Sequence, residues 1–237
     1  MPTRTQIVLP SFRNASTVLA VLLVVTSVFW KVALDAGITL YLVPRDVLTG
    51  QVWQLVTWLP AEAPQTGSVL FAALIIWSTG GSLETRWGRR RFLLFAGITV
   101  FLSGLLALGT VTLIPALGGA YFGGSVLAAV VWVGYGCAIW NQQTNIWGYP
   151  LTGRTFAMIG VLLCSLNTVF SGPHMLVAEI WGLLITFAYA KFGFPGEFWT
   201  RFRSWQLQRD LDKRSAHLRS IDGGQRNVGR DSDKYLH

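Results

Sequence analysis

The chain has 237 residues, 52% hydrophobic and 13% charged, with a formal net charge of +8. A soluble domain carries about 25% charged residues, so this composition excludes an ordinary soluble globule; with a mean hydropathy of +0.47 it indicates an integral membrane protein. The basic residues flank apolar runs, and ten of the nineteen Lys and Arg fall in the last 47 positions, a pattern of membrane topology and lipid contact that argues against nucleic-acid binding.

Residues 1–16 carry Arg4 and Arg13 and no acid, and read as a cytoplasmic lead-in. The first apolar run, about 17–36, is too long for a signal-peptide core and has no small-residue cleavage site, so it reads as a retained span. Lys31 and Asp35 sit near its far end, where they can snorkel to the interface. Residues 37–66 are interrupted by Pro44, Pro60 and Pro64. Within them Trp53, Leu55, Val56 and Trp58 alternate with polar residues, which predicts a segment lying in the interface.

A second span covers about 67–82. It closes on Gly80-Gly81, followed by Glu84, Gly88 and the arginines 86, 89, 90 and 91. The stretch reads as a helix that stops at a positively charged surface, turns, and re-enters at Phe92. Further spans are predicted at about 92–116, 121–140, 155–170 and 175–190. Gly123, Gly124, Gly134 and Gly136 in the fourth, and Ala178 and Gly182 in the sixth, give small-residue spacing that lets helices approach closely in lipid.

Six spans put both ends of the membrane domain, residues 17–191, on one side. The N-terminus, the 86–91 turn, Arg154 and the tail hold two, four, one and ten of the nineteen basic residues, against Lys31 and Arg45 on the opposite face. By the positive-inside rule both termini are cytoplasmic. The expected fold class is an all-α membrane protein, a six-helix bundle with an interfacial first loop. In the tail, residues 192–220 place Phe198, Trp199, Phe202, Trp205 and Leu211 at near-helical spacing between arginines, predicting a basic amphipathic helix on anionic lipid. Residues 221–237 read as disordered.

Few span residues carry chemistry. Cys137 and Cys164 lie in apolar runs without CxxC spacing and read as small hydrophobes; no metal site or cofactor is expected. Glu179 falls four residues into the sixth span, where a carboxyl group usually faces the bundle or a cavity. Ser125 is at similar depth in the fourth span, with Ser68 and Asn167 at compatible depths, predicting a polar cluster open to the outer face. A serine nucleophile needs a base and oxyanion donors, and a carboxylate is a poor stand-in for imidazole near neutral pH. His174 falls in an outer loop, and His217 and His237 in the tail. Ser125 reads as a small residue permitting helix contact in preference to a nucleophile, and Glu179 as a structural or ligand-binding group.

The 68–92 stretch resembles the second span and following turn of rhomboid intramembrane proteases, which share the Gly-Gly pair (Gly80, Gly81), a nearby Glu (Glu84), a Gly (Gly88) and a basic cluster that includes Arg91. The segment 52–59 is similar to that family's first-loop motif around Trp53, with Gln54 where arginine is usual. The YFGGS stretch, with Gly123, Gly124 and Ser125, resembles the approach to the nucleophile. AEIWGLL, with Glu179 and Gly182, resembles the sixth-span motif. The resemblance covers about residues 17–190. It implies that the catalytic parts are missing: Glu179 stands where the family has its histidine, and Ser68 and Ala72 stand at the oxyanion positions. The serine position falls on Ser125 or, anchored on the preceding FGG, on Val126.

The expectation is a rhomboid pseudoprotease that binds transmembrane segments of client proteins without cutting them, Derlin-like in role. The alternatives are a protease using Ser125 with Glu179, or a small transporter coupled through Glu179. The absence of an ER-retention tail suggests a bacterial inner membrane.

Overall fold

A chain in lipid must satisfy its backbone groups within each segment, and helices do so. The computed structural model describes residues 4–6, 14–35, 39–62, 66–146, 149–172, 174–192 and 207–209. Side chains of 4–6, 31–35, 66, 146 and 167–171 lie outside that description. Two compact units, Met1–Ala190 and Lys191–His237, divide the chain. In the second, only the end of the last long helix and residues 207–209, helical and exposed, are described; the tail helix at 192–220 otherwise lies outside the described residues, as does 221–237.

The first unit contains α1 (Ala15–Asp35), α2 (Pro44–Leu48), α3 (Gln54–Thr57), α4 (Thr66–Trp87), α5 (Arg89–Leu113), α6 (Gly123–Ala138), α7 (Gly153–Ser171) and α8, which starts at Met175 and ends at Phe192. Among the described residues, three helical stretches are long and apolar enough to cross a membrane: Gly67–Trp87, Arg89–Leu113 and Met175–Phe192. Shorter apolar stretches run over Ala15–Trp30, Gly123–Ala138 and Gly153–Leu166. The chain is a helical membrane protein.

The sequence reading ended the second span at residue 82, after Gly80-Gly81. The helix instead continues to Trp87 and turns at Gly88, whose φ of 84° is a conformation open to glycine. Gly80 serves packing, not termination. A Cβ there would lie 3.2 Å from both Ser16 Cβ and Phe92 Cζ. Glu84, one turn further, fixes the same contact: its carboxylate accepts hydrogen bonds from the Ala15 and Ser16 N–H groups, each at 2.9 Å. It thereby satisfies two of the four orphan donors at the start of α1, where the helix dipole also favours a negative charge.

The first loop is a built structure. Pro44 opens α2, where its missing N–H costs nothing. Gln54 is fully buried: its Oε1 accepts from the Val43 N–H (2.9 Å), and its Nε2 donates to Thr39 Oγ1 (2.8 Å) and Gln51 Oε1 (2.9 Å). Trp53 is exposed, with Val52 and Val56, giving the loop an apolar outer surface of the kind that suits a membrane interface. Trp58 points inward, fully buried, against Gly104 of α5, where a Cβ would come within 2.7 Å of its Cε2.

The purely helical expectation omitted a small sheet. Strands β1 (Arg4–Gln6), β2 (Gln143–Ile146) and β3 (Tyr149–Thr152) pair in that order, β1 parallel to β2 and β2 antiparallel to β3. β2 and β3 are short, Thr-containing segments in the connection after α6, too brief to leave an alternating pattern. Arg86 Nη2 donates to Gln142 Oε1 (2.8 Å), joining the end of α4 to the base of this sheet.

Two stability predictions follow from these contacts. Glu84→Gln removes the charge from a charge-assisted pair of bonds and lowers stability by about 1–3 kcal/mol, read by thermal unfolding in detergent. Gly104→Val forces Trp58 out of place and lowers the unfolding temperature well below that of Gly109→Val, since nothing lies within 4 Å of a Cβ at Gly109. Equal effects of the two valines would contradict the Trp58 packing.

Candidate functional site

One cavity of about 330 Å³ brings the singled-out chemistry together. α4 and α7 both pack along α6, and their facing residues form its walls. Ser68, Phe71, Ala72 and Ile75 come from α4; Ser125, Ala128, Ala129 and Trp132 come from α6. Each set repeats at three- and four-residue spacing, which places it on a single helix face. Gly160, Leu163, Cys164 and Leu166 of α7, Glu179 of α8 and Glu62 of the first loop complete the lining.

The four degenerate positions Ser68, Ala72, Ser125 and Glu179 therefore share one space. The other residues singled out lie elsewhere. Gly80, Gly81, Glu84, Gly88 and Arg91 are at or beyond the far end of α4. Trp53 is on the outer surface of the first loop. Gly182 packs α8 on α6, a Cβ there falling 3.0 Å from Val126 Cγ1 and 3.2 Å from Val130 Cγ2. Asn167 belongs to α7, but its side chain lies outside the described residues. His174 is placed away from the lining, its ring edge-on to Tyr121 with centroids 5.8 Å apart. His217 and His237 lie outside the described residues.

Glu62 was not foreseen. Its only sequence signal is an isolated acid between alanines in a stretch poor in charge, and nothing local aims it inward. Tertiary contacts do so. Thr26 Oγ1 donates to Pro60 O (2.7 Å), and the Glu62 N–H donates to Ser27 Oγ (3.2 Å), pinning the loop to α1. The first N–H groups of α6 pin its other side, Gly123 donating to Trp58 O (3.1 Å) and Gly124 to Ala61 O (3.0 Å). Gly124 also makes room for the Glu62 carboxylate, since a Cβ there would stand 2.6 Å from Oε2.

The two carboxyl groups are almost wholly enclosed, Glu62 at 4% and Glu179 at 2% exposure. A charged side chain at membrane depth is expensive, about 2.5–3.5 kcal/mol on insertion scales, and marks a functional position by default. The hydroxyls contribute less. Ser125 Oγ donates to Phe122 O at 3.3 Å, a long bond to its own helix start. Ala72 presents no polar atom. The apolar wall is rigid: Trp132 Nε1 donates to Phe156 O (2.9 Å), and the two rings stack at 4.9 Å and 12°. Phe71, half exposed at the rim, stands 6.4 Å from Trp132.

No lysine, arginine or histidine contributes to this lining among the described residues. No group of three or more His, Cys, Asp or Glu there could hold a metal ion among those residues. The arrangement can bind, through an apolar wall and two enclosed carboxyl groups. Its serines share the cavity with two carboxyl groups and, among the described residues, with no imidazole.

Compared with known proteins, the sequence matches no family model and no curated protein.

The Gly124–Glu62 contact is testable by a double-mutant cycle. Gly124→Ala should destabilise the protein by about 1–3 kcal/mol through overpacking. The penalty should shrink when Glu62 is also replaced by alanine. An identical penalty in both backgrounds would show that the carboxylate does not occupy that space.

Proposed function

We propose that the protein is a rhomboid-like pseudoprotease, a six-span scaffold of a bacterial inner membrane with both termini cytoplasmic. It binds transmembrane segments of client proteins without cleaving them. The observation that carries this reading is the shared cavity. Anchored on the glycine spacing, the rhomboid resemblance puts nucleophile, base and oxyanion donors at Ser125, Glu179, Ser68 and Ala72, and all four line it. A cleaving enzyme of that design needs an imidazole within hydrogen-bond reach of the serine and donors aimed at the developing oxyanion. Glu179 offers no imidazole and Ala72 no donor, and each missing oxyanion donor removes about 3 kcal/mol of transition-state stabilisation. What remains is a mostly apolar recess holding two carboxyl groups, beside half-exposed apolar residues, Phe71 on α4 and Leu166 on α7, against which a client helix can lie. The anionic-lipid contact of the basic tail belongs to the same proposal and would hold the scaffold against the cytoplasmic leaflet.

The second reading, a protease using Ser125 with Glu179 as its base, draws on the same fact that both groups line one cavity. A fluorophosphonate probe separates the two. The purified protein should remain unlabelled, and a photo-crosslinker at position 71 should capture intact single-span proteins through their membrane segments. Labelling that disappears in Ser125→Ala would overturn the pseudoprotease reading in favour of the enzyme.

A further inference from the structure

The inner wall of the cavity has no use for a polar occupant. Ser68, Ser125 and Glu179 stand within the first five residues of α4, α6 and α8, and Glu62 comes from the first loop. Further along, the lining is Ala72 and Ile75 of α4, Ala128, Ala129 and Trp132 of α6, and Leu163 of α7. The one polar side-chain atom in that set, Trp132 Nε1, already donates to Phe156 O at 2.9 Å. A buried water needs about two to four polar partners, and these six side chains offer none.

Nor do these residues fill the space. Alanine stands at positions 72, 128 and 129, and the cavity holds about 330 Å³. The volume is about twice that of an apolar cavity, roughly 150 Å³, that takes up benzene. The rim is apolar as well. Phe71 and Leu166 line the cavity and are half exposed, and Leu70 and Leu74 of α4 and Leu162 of α7 are exposed near them in sequence. In a helical membrane protein, an opening framed by such side chains meets the hydrocarbon of the bilayer.

We propose that the cavity is a lipid site that holds one acyl chain of a bilayer phospholipid, inserted between α4 and α7. Lipid tails are as apolar as leucine, so packing and not release of water drives a chain inward. A void leaves its lining atoms without dispersion partners, and the chain supplies them along Ile75, Leu163 and the indole of Trp132. That indole is held in place by its hydrogen bond and its stack on Phe156. Two other occupants fit less well. A single leucine or phenylalanine side chain of a client span is of benzene size and leaves about half of the volume empty. A polar small molecule brings groups for which the inner wall has no partner. The occupant is defined by the apolar wall alone and makes no demand on the two carboxyl groups. The inference goes beyond the scaffold reading and does not rest on it.

The central helix makes the test specific. From Val126 to Gly136 the side chains of α6 are buried, except for half-buried Trp132, so lipid surrounding the bundle reaches them only through the cavity. The full-length protein is placed in phosphatidylcholine nanodiscs containing phosphatidylcholine with a diazirine at the middle of one acyl chain. After irradiation, crosslinked residues are mapped by mass spectrometry. Crosslinks should fall on Ala128, Ala129 or Trp132 as well as on Ile98, Phe101 and Leu102, the exposed face of α5, which serves as the internal reference. Ala129→Phe and Ala72→Leu fill the space from different helices. Each should cut crosslinking of α6 about tenfold relative to α5, since a close-packed interior leaves no room for a chain. Crosslinks confined to outer faces in the wild-type protein, a result that needs no variant to fold, overturn the proposal. So does α6 crosslinking that is unchanged in both filled variants. Either failure leaves the unlabelled serine and the crosslinked clients standing, and serine-dependent probe labelling overturns the scaffold reading without touching the lipid site.

Discussion

The rest of the structure depends on one carboxylate. Glu84 sits near the end of α4 and accepts the first two N–H groups of α1, so the start of one helix is defined by the end of another. Beside it, Gly80 lets Ser16 of α1, Phe92 of α5 and Val131 of α6 converge on one spot of α4. Four helices are thus registered at a single level. Sixteen residues back along α4, roughly 24 Å at 1.5 Å per residue, Ser68 opens the cavity wall. The fixed end sets the depth at which that wall stands.

The first loop performs the complementary task at the other end. Gln54 holds its fold, Trp58 wedges it against α5, and its carbonyls receive the first N–H groups of α6. Its product is the placement of Glu62 opposite Gly124. Glutamine can do this where a charged residue would need a counter-charge, because it both donates and accepts within the loop. A recess bounded by a folded loop and four helices is built from elements fixed by their own contacts, which is what preorganised binding requires.

Much of this was legible in the residues. The apolar runs mark the helices, Gly88 and the arginines mark the turn, and the depths of Ser68, Ser125 and Glu179 anticipate their meeting. Where the reading failed, the missing information was tertiary. Gly80-Gly81 looks the same whether it ends a helix or admits a neighbour, and only the partners Ser16, Phe92 and Val131 decide. Glu62 lies in a segment whose composition suits an interface, and its inward aim comes from Thr26, Ser27, Gly123 and Gly124 on two distant helices. Cys164 joins the cavity through the rotation of α7, which packing sets. Strands β2 and β3 need a third segment, β1, that no local pattern announces.

That third segment sets an order of events. β1 pairs Arg4 with Gln143, a partner 139 positions further along and just beyond α6. The start of α1 waits as well, for a carboxylate 68 and 69 positions later. Both contacts close loops much longer than any helix, and loop closure of that kind comes late in folding. The leading amides of α1 therefore gain their carboxylate partner only once α4 is in place. β1 is therefore a clasp that can close only once the chain between it and β2 has brought the two strands together.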